Sequence, residues 1–308
     1  MAGAFLSALA RPEALILDGG LATQLEAQGC DLGDALWSAS LLVDNPQAIV
    51  AASRAFLDAG AECIASASYQ ASREGFAQRG LSADEADALM LRSIELAARA
   101  RDEFVAARAP IFAPLVAASI GPYGAVLHDG SEYRGDYGVS QDALRTFHAE
   151  RLALFDASGA DVLAVETIPS LLEAEVLADL LTRCATPTWV SFSCRDDRHI
   201  SDGSPIEAAV SLFRGHPAVV ATGINCTPPQ FATALIERIR EAAPDQAVIA
   251  YPNSGETYDA ATRTWSGTAT PLDYAAAARE WMSAGATIIG GCCRTGPAHI
   301  AALREALL

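Results

Sequence analysis

The chain of 308 residues carries 38 acidic against 21 basic side chains, a formal net charge of −17. With an isoelectric point near 4.6 it lacks the basic face that nucleic-acid binding requires. Apolar residues make up 51%, enough for one large core or two small ones, and α/β barrels commonly reach this size undivided. Seven cysteines (30, 63, 184, 194, 226, 292 and 293), odd in number and scattered, make no disulfide framework. Residues 1–10 lack the basic start of a secretory signal, and no uninterrupted apolar stretch has membrane-spanning length. The expected location is the cytoplasm, with no membrane partner.

The first apolar run, 14–18, ends in Asp18-Gly19-Gly20 and reads as a strand. A helical pattern over 46–59 is stopped by Gly60, and 63–69 follows as the second strand. The stretch 83–107 is rich in Ala and Leu and opens with acidic residues, as the helix dipole prefers. Strand three is expected over 111–119 and its helix over 141–157. Strands over 161–166, 188–193, 219–225, 247–251 and 287–290 alternate with helices over 170–182, 205–213, 229–242, 271–283 and 297–307. Gly60, Gly159 and Gly285 recur at helix-to-strand joints, where glycine supplies the left-handed residue that ends a helix. Eight βα units with near-continuous apolar strands predict an α/β chain folded as a (β/α)8 TIM barrel. A doubly wound open sheet is the alternative, but it usually has fewer units. No linker-like stretch divides the chain, so residues 1–308 are expected to form a single domain.

Functional groups of such a barrel gather at the C-terminal ends of its strands. Here these are Asp18, Tyr69, Ser119, Glu166, Ser193, Cys226, Asn253 and the pair Cys292-Cys293. A Cys-Cys pair taken alone is more often a small buried filler than a ligand. Adjacent side chains of a strand point to opposite faces, so both thiols meet one ion only where the chain turns, which Gly290-Gly291 permit. Cys226 ends a strand two places away around the ring. Three thiolates from two strand ends make a zinc site with one open position, the usual catalytic layout. Such a site is negatively charged, poor at making hydroxide, and suited to holding a fourth sulfur as thiolate. The reaction class implied is attack by a substrate thiolate on an electrophilic carbon. The other four cysteines match no ligand spacing and are expected to be filler.

Asp18 and Glu166 can hold a substrate ammonium, serve acid–base chemistry, or cap the next loop. None of the five histidines falls on a strand end, and His148 and His299 are expected to be structural. Two connections, 121–138 and 254–270, have the length of lids or binding loops. They carry Tyr123, Tyr133, Tyr137, Tyr258 and Trp265, and the first adds Asp129, Glu132 and Asp136.

Several stretches together resemble the homocysteine S-methyltransferase family along essentially the whole chain. They are Leu17-Asp18-Gly19-Gly20 with Thr23, Leu25 and Gly29; Ser68-Tyr69-Gln70-Ala71-Ser72; Glu166-Thr167-Ile168-Pro169; Gly223-Ile224-Asn225-Cys226; Tyr251-Pro252-Asn253; and Gly290-Gly291-Cys292-Cys293-Arg294. The resemblance implies one Zn2+ per chain, with Cys226, Cys292 and Cys293 as its ligands and as the catalytic residues. It also implies Asp18 and Glu166 on the amino group of L-homocysteine, with Ser66 and the Gly19 backbone near its carboxylate. Gly121 to Ala125 and Asp129 to Tyr137 look like the branch using S-methylmethionine or S-adenosylmethionine. With its last predicted helix over 297–307, the chain is expected to lack the extension of the betaine-using branch and added folate and cobalamin domains.

The expected reaction is in-line attack of zinc-held homocysteine thiolate on a sulfonium methyl, giving methionine. The acidic and tyrosine residues of 121–138, Tyr123, Tyr133 and Asp136 among them, are expected to help hold the cationic donor through charge and cation–π contact. Both partners are small molecules, and the chain is expected to be a monomer or weak oligomer. Two competing readings remain: a metal-free barrel lyase or hydrolase using Asp18 and Glu166, and a non-catalytic zinc- or thiol-binding protein.

Overall fold

A computed structural model describes residues 2–32, 37–259, 264–266 and 270–308. Seven strands come first: Leu15–Ile16 (β1), Cys63–Ala65 (β2), Leu115–Ile120 (β3), Val162–Ile168 (β4), Thr188–Phe192 (β5), Val219–Asn225 (β6) and Ala247–Tyr251 (β7). A hairpin of Thr257–Asp259 (β8) and Thr264–Ser266 (β9) follows, and Ile288–Ile289 (β10) is last. All but the hairpin lie in one parallel sheet, in the order β1-β10-β7-β6-β5-β4-β3-β2. Its two end strands close on each other. Glu62 N donates to Ile16 O at 2.7 Å and Asp18 N to Cys63 O at 3.0 Å. The architecture is the (β/α)8 barrel that the repeat predicts, and only β7 separates β6 from β10.

The strands are largely apolar because both their faces are buried. Leu15, Leu115, Val162, Ala164, Trp189 and Ile288 are among the side chains filling the barrel. Ile16, Ile64, Val116, Val190 and Ile289 belong to the outer core instead. A helix at Ala2–Leu9, which the strand repeat did not foretell, adds Phe5 to the interior. Phe5 is wholly buried, its ring centre 5.9 Å from that of Trp189. Gly60, Gly159 and Gly285 take φ of +104°, +82° and +118°, as expected of helix ends.

Three expectations need correction. β3 begins at Leu115 rather than at 111, because Pro110 and Pro114 cannot donate to a ladder, and Ile111 is 93% exposed. β2 ends at Ala65, and the chain turns over 67–70. The connection 121–138 is not a plain loop: it holds 3-10 turns at Tyr123–Val126 and Ser131–Tyr133. A wholly buried carboxylate pins it. Glu173 accepts from Tyr123 N at 2.6 Å, from Tyr137 OH at 2.8 Å and from His148 Nε2 at 2.8 Å. In the connection 254–270, the side chains of Tyr258 and Trp265 lie outside the described residues. No helix among the described residues is long and apolar enough to cross a membrane.

Phe5 generates a stability prediction. Phe5→Ala leaves a void at the barrel floor and is expected to cost about 3 kcal/mol or more. The midpoint of denaturant unfolding, with unchanged slope, measures it; a loss under about 0.5 kcal/mol would mean that the helix contributes no core.

Candidate active site

Each barrel strand brings a polar side chain to one mouth: Asp18 after β1, Ser66 after β2, Ser119 on β3, Glu166 on β4, Ser191 on β5, Asn225 and Cys226 at the end of β6, Tyr251 on β7, and Cys292-Cys293 after β10. The Sγ atoms of Cys226, Cys292 and Cys293 all lie within 4.8 Å of one another, the single such ligand group among the described residues. Cys226 and Cys293 are 3.4 Å apart.

Two left-handed residues assemble this cluster. Cys226 has φ +48°, which breaks strand alternation and lets Asn225 and Cys226 serve the same mouth. Arg294, at φ +65°, turns the chain after Cys293. Gly290 and Gly291 do not take left-handed backbone, contrary to the expectation that they supply the turn. They permit close approach instead: a Cβ at Gly290 would lie 2.5 Å from Leu17 Cβ, and one at Gly291 2.6 Å from Thr295 Cβ. Thr295 then clamps the turn. Its hydroxyl donates to Cys292 O at 2.6 Å, and its carbonyl accepts from Gly20 N at 2.9 Å.

Asp18 and Glu166 are held by different means. Asp18 Oδ2 accepts from Ala65 N at 2.8 Å. Glu166 accepts from the hydroxyls of Ser119 and, at 2.9 Å, Tyr251. It sits where the β4 register shifts, beside Thr167 at φ +62°, the kind of bulge that re-aims a side chain. Asn225 fixes that bulge: its Oδ1 accepts from Thr167 N at 2.7 Å and from Ser191 Oγ at 2.8 Å. Its Nδ2 donates to Thr167 Oγ1 at 2.7 Å and lies 4.0 Å from Cys292 Sγ. Burial pushes the Asp18 and Glu166 carboxyls up to about 7 each.

The other expected substrate residues lie close by. Ser66 Oγ is 2.7 Å from Ser68 Oγ and accepts from Ser119 N at 3.0 Å. Gly19 lies under Thr295, whose carbonyl oxygen a Cβ there would meet at 2.5 Å. Of the expected donor residues, Tyr133 reaches the cysteines, its hydroxyl 3.4 Å from Cys226 Sγ. Tyr123 instead packs edge-on against Phe147. Asp136 pairs with Arg134 at 3.2 Å, its side chain 75% exposed. Cys63 and Cys194 are buried, and Cys30 and Cys184 half-buried, away from the cluster.

The thiols share charge unequally. Cys293 is held well below the ordinary thiol range by hydrogen bonds with Cys226 and Cys292, while Cys292 is pushed well above it by the same pairing. Three soft donors whose negative charge is suppressed by proximity fit a thiophilic dication. Sequence reasoning did not assign Asn225 or Tyr251 a role, although both stand in the quoted motifs; their inward register was the available signal. Glu132 stands out in the sequence only as one of three acids of the 121–138 connection.

The family model for homocysteine S-methyltransferase matches residues 15–307. The chain is 49% identical to the homocysteine S-methyltransferase YbgG of Bacillus subtilis (strain 168), covering 93% of this chain and 92% of that one. It is 48% identical to the homocysteine S-methyltransferase of Escherichia coli (strain K12), covering 96% of each. The crystal structure of the homocysteine methyltransferase MmuM from Escherichia coli in its metallated form superposes with TM-score 0.87 at 44% identity, over 97% of this chain and 98% of that one. A closed barrel, a three-cysteine mouth and relatives matched end to end lead to one conclusion: the chain belongs to the homocysteine S-methyltransferase family and is an enzyme of that type.

Proposed function

We propose that this homocysteine S-methyltransferase takes its methyl group from a sulfonium donor, S-methylmethionine or S-adenosylmethionine, and that one Zn2+ held by Cys226, Cys292 and Cys293 serves the reaction. The observation that carries this reading is three Sγ atoms within 4.8 Å at the same mouth as the buried Asp18 and half-buried Glu166. Zinc bound there supplies a position for the acceptor sulfur and favours its thiolate form. Asp18 and Glu166 bind the ammonium of L-homocysteine, and the Ser66 hydroxyl and Gly19 backbone meet its carboxylate. Asn225 orients the sulfur cluster and the Glu166 bulge together. The acceptor sulfur forms its bond to the methyl carbon as the carbon–sulfonium bond breaks, and that electron pair stays on the leaving sulfur. The products are methionine and a neutral thioether, so no general acid is needed. That agrees with the placement of His148, His199, His216 and His299, which are bonded elsewhere. Fixing two substrates at one mouth supplies much of the rate, since effective molarities reach about 10⁵ M or more.

The metal assignment predicts about one zinc per chain in freshly reduced protein and methionine formation from homocysteine with at least one of the two donors. Cys226→Ala should lose both. Turnover that survives metal removal would return the reading to a metal-free enzyme built on Asp18 and Glu166.

A second prediction concerns pH. The two carboxyls bind an ammonium only when ionised, and in the free enzyme that occurs as pH rises through about 7. Apparent affinity for homocysteine should therefore rise with pH below that point, by about tenfold per unit for each carboxyl that must lose a proton. Tyr251 donates to Glu166 and favours its charged form, so Tyr251→Phe should move this limb to higher pH. The homocysteine KM measured from about pH 6 to 8 checks both, and a limb that Tyr251→Phe leaves in place would separate Glu166 from ammonium binding.

A further inference from the structure

Three acids lie in the segment that covers the cysteine mouth, and their surroundings differ. Asp129 and Asp136 are more than half exposed and both pair with Arg134. Glu132 turns the other way. Its Oε2 is buried and has no hydrogen-bond partner. The residue itself is firmly placed: its carbonyl accepts from Ser193 Oγ at 3.2 Å, and a Cβ on Gly124 would meet its amide nitrogen at 2.6 Å. Tyr133, next in sequence, puts its hydroxyl 3.4 Å from Cys226 Sγ. A carboxylate that merely held this segment would resemble Glu173, whose two oxygens take three donors from Tyr123, Tyr137 and His148. Burying an acceptor with no partner costs about 1–3 kcal/mol, more for a charged one, so Glu132 has the features of a group that a ligand completes.

We infer that Glu132 is the counter-charge for the sulfonium of the methyl donor, in a bay between Tyr69, Tyr133 and the cysteine cluster. This rests on the sulfonium reading given above. The field of the site agrees: the Glu132 carboxyl is pushed up to about 7 by burial and by the negative charge of Cys226, and its charge in turn acts on Tyr69, Tyr133 and Cys293. No arginine among the described residues bonds to Glu132, and the chain contains no lysine. A cation reaching Glu132 therefore finds a carboxylate with no direct ion-pair partner, opposed only by the more distant charge of Arg134. A neutral thioether does not gain from it, so the same residue favours release of the demethylated product.

The charge argument also fixes the kinetic signature. Positive charge leaves the donor sulfur as its carbon–sulfur bond breaks, so attraction to Glu132 is greatest in the ground state and fades toward the transition state. Its loss weakens donor binding far more than it slows chemistry. Glu132→Gln, nearly isosteric, is expected to raise the donor KM about tenfold or more, with kcat changed less than about threefold. The homocysteine KM and zinc per chain should stay at the wild-type values, and Glu132→Asp should recover part of the donor affinity.

Calorimetric binding of trimethylsulfonium to zinc-loaded wild type and Glu132→Gln provides a readout without turnover. It should bind the variant about tenfold more weakly. Equal binding of this probe, or a donor KM within twofold of wild type, would overturn the assignment, as would a parallel rise in the homocysteine KM or loss of zinc. If the wild type used neither sulfonium donor, the donor reading would fail by itself, and the trimethylsulfonium comparison would still decide whether Glu132 is a cation site.

Discussion

Acidic groups gathered at one mouth, buried or half-buried, without a cationic side chain bonded to them set the terms for this protein. Asp18, Glu132, Glu166 and three cysteines share one barrel mouth, and among the described residues no arginine pairs with any of them. The nearby guanidinium groups are occupied elsewhere: Arg294 bonds to Glu256 at 2.6 Å, and Arg151 to the carbonyls of Gly121 and Tyr69 at 2.8 and 3.0 Å. Removing an ion from water costs several kcal/mol even after relaxation. The carboxyls answer by holding their protons up to about pH 7. In the function proposed above, the groups that restore the balance are positively charged: a dication for the thiolates, an ammonium for Asp18 and Glu166, a sulfonium for Glu132.

Such a site needs a stiff frame, because like charges would otherwise spread apart. The frame consists of buried polar groups that are bonded at several points. Asn225 joins the β4 bulge to β5 and reaches toward Cys292. Arg151, wholly enclosed, ties the turn after β2 to the start of the segment after β3. Glu173 fastens that segment to the outer helices. These bonds also sustain strained backbone at Thr167, Cys226 and Arg294, where left-handed conformation in a residue other than glycine costs about 1–3 kcal/mol each. The strain lies where side chains must break strand or turn geometry to meet.

Much of the fold was legible in the chain. Continuous apolar runs, three Gly-terminated joints and eight repeats specify a parallel barrel because each strand must bury two faces and each helix one. Barrel closure then sends every strand end to a common mouth, so Asp18, Glu166, Cys226, Cys292 and Cys293 could be named from position in a repeat. The motifs around them carried the family. By contrast, Phe5 entering the barrel interior left no periodic trace, since a helix of only 8 residues supplies it.

What the tertiary structure alone decided is where irregular backbone points. The identity of Gly290 and Gly291 suggested a turn, but their lack of a side chain serves close packing against Leu17 and Thr295, a relation between distant segments. Asp129, Glu132 and Asp136 are equivalent as letters in one acidic stretch. Two are satisfied by Arg134 at the surface, and one lies on the 3-10 turn 131–133, which Ser193 ties down. Sequence determines local propensity and the burial pattern of regular elements, because those have a period. The aim of a side chain on an aperiodic segment depends on contacts made across the fold, and only the folded chain contains them.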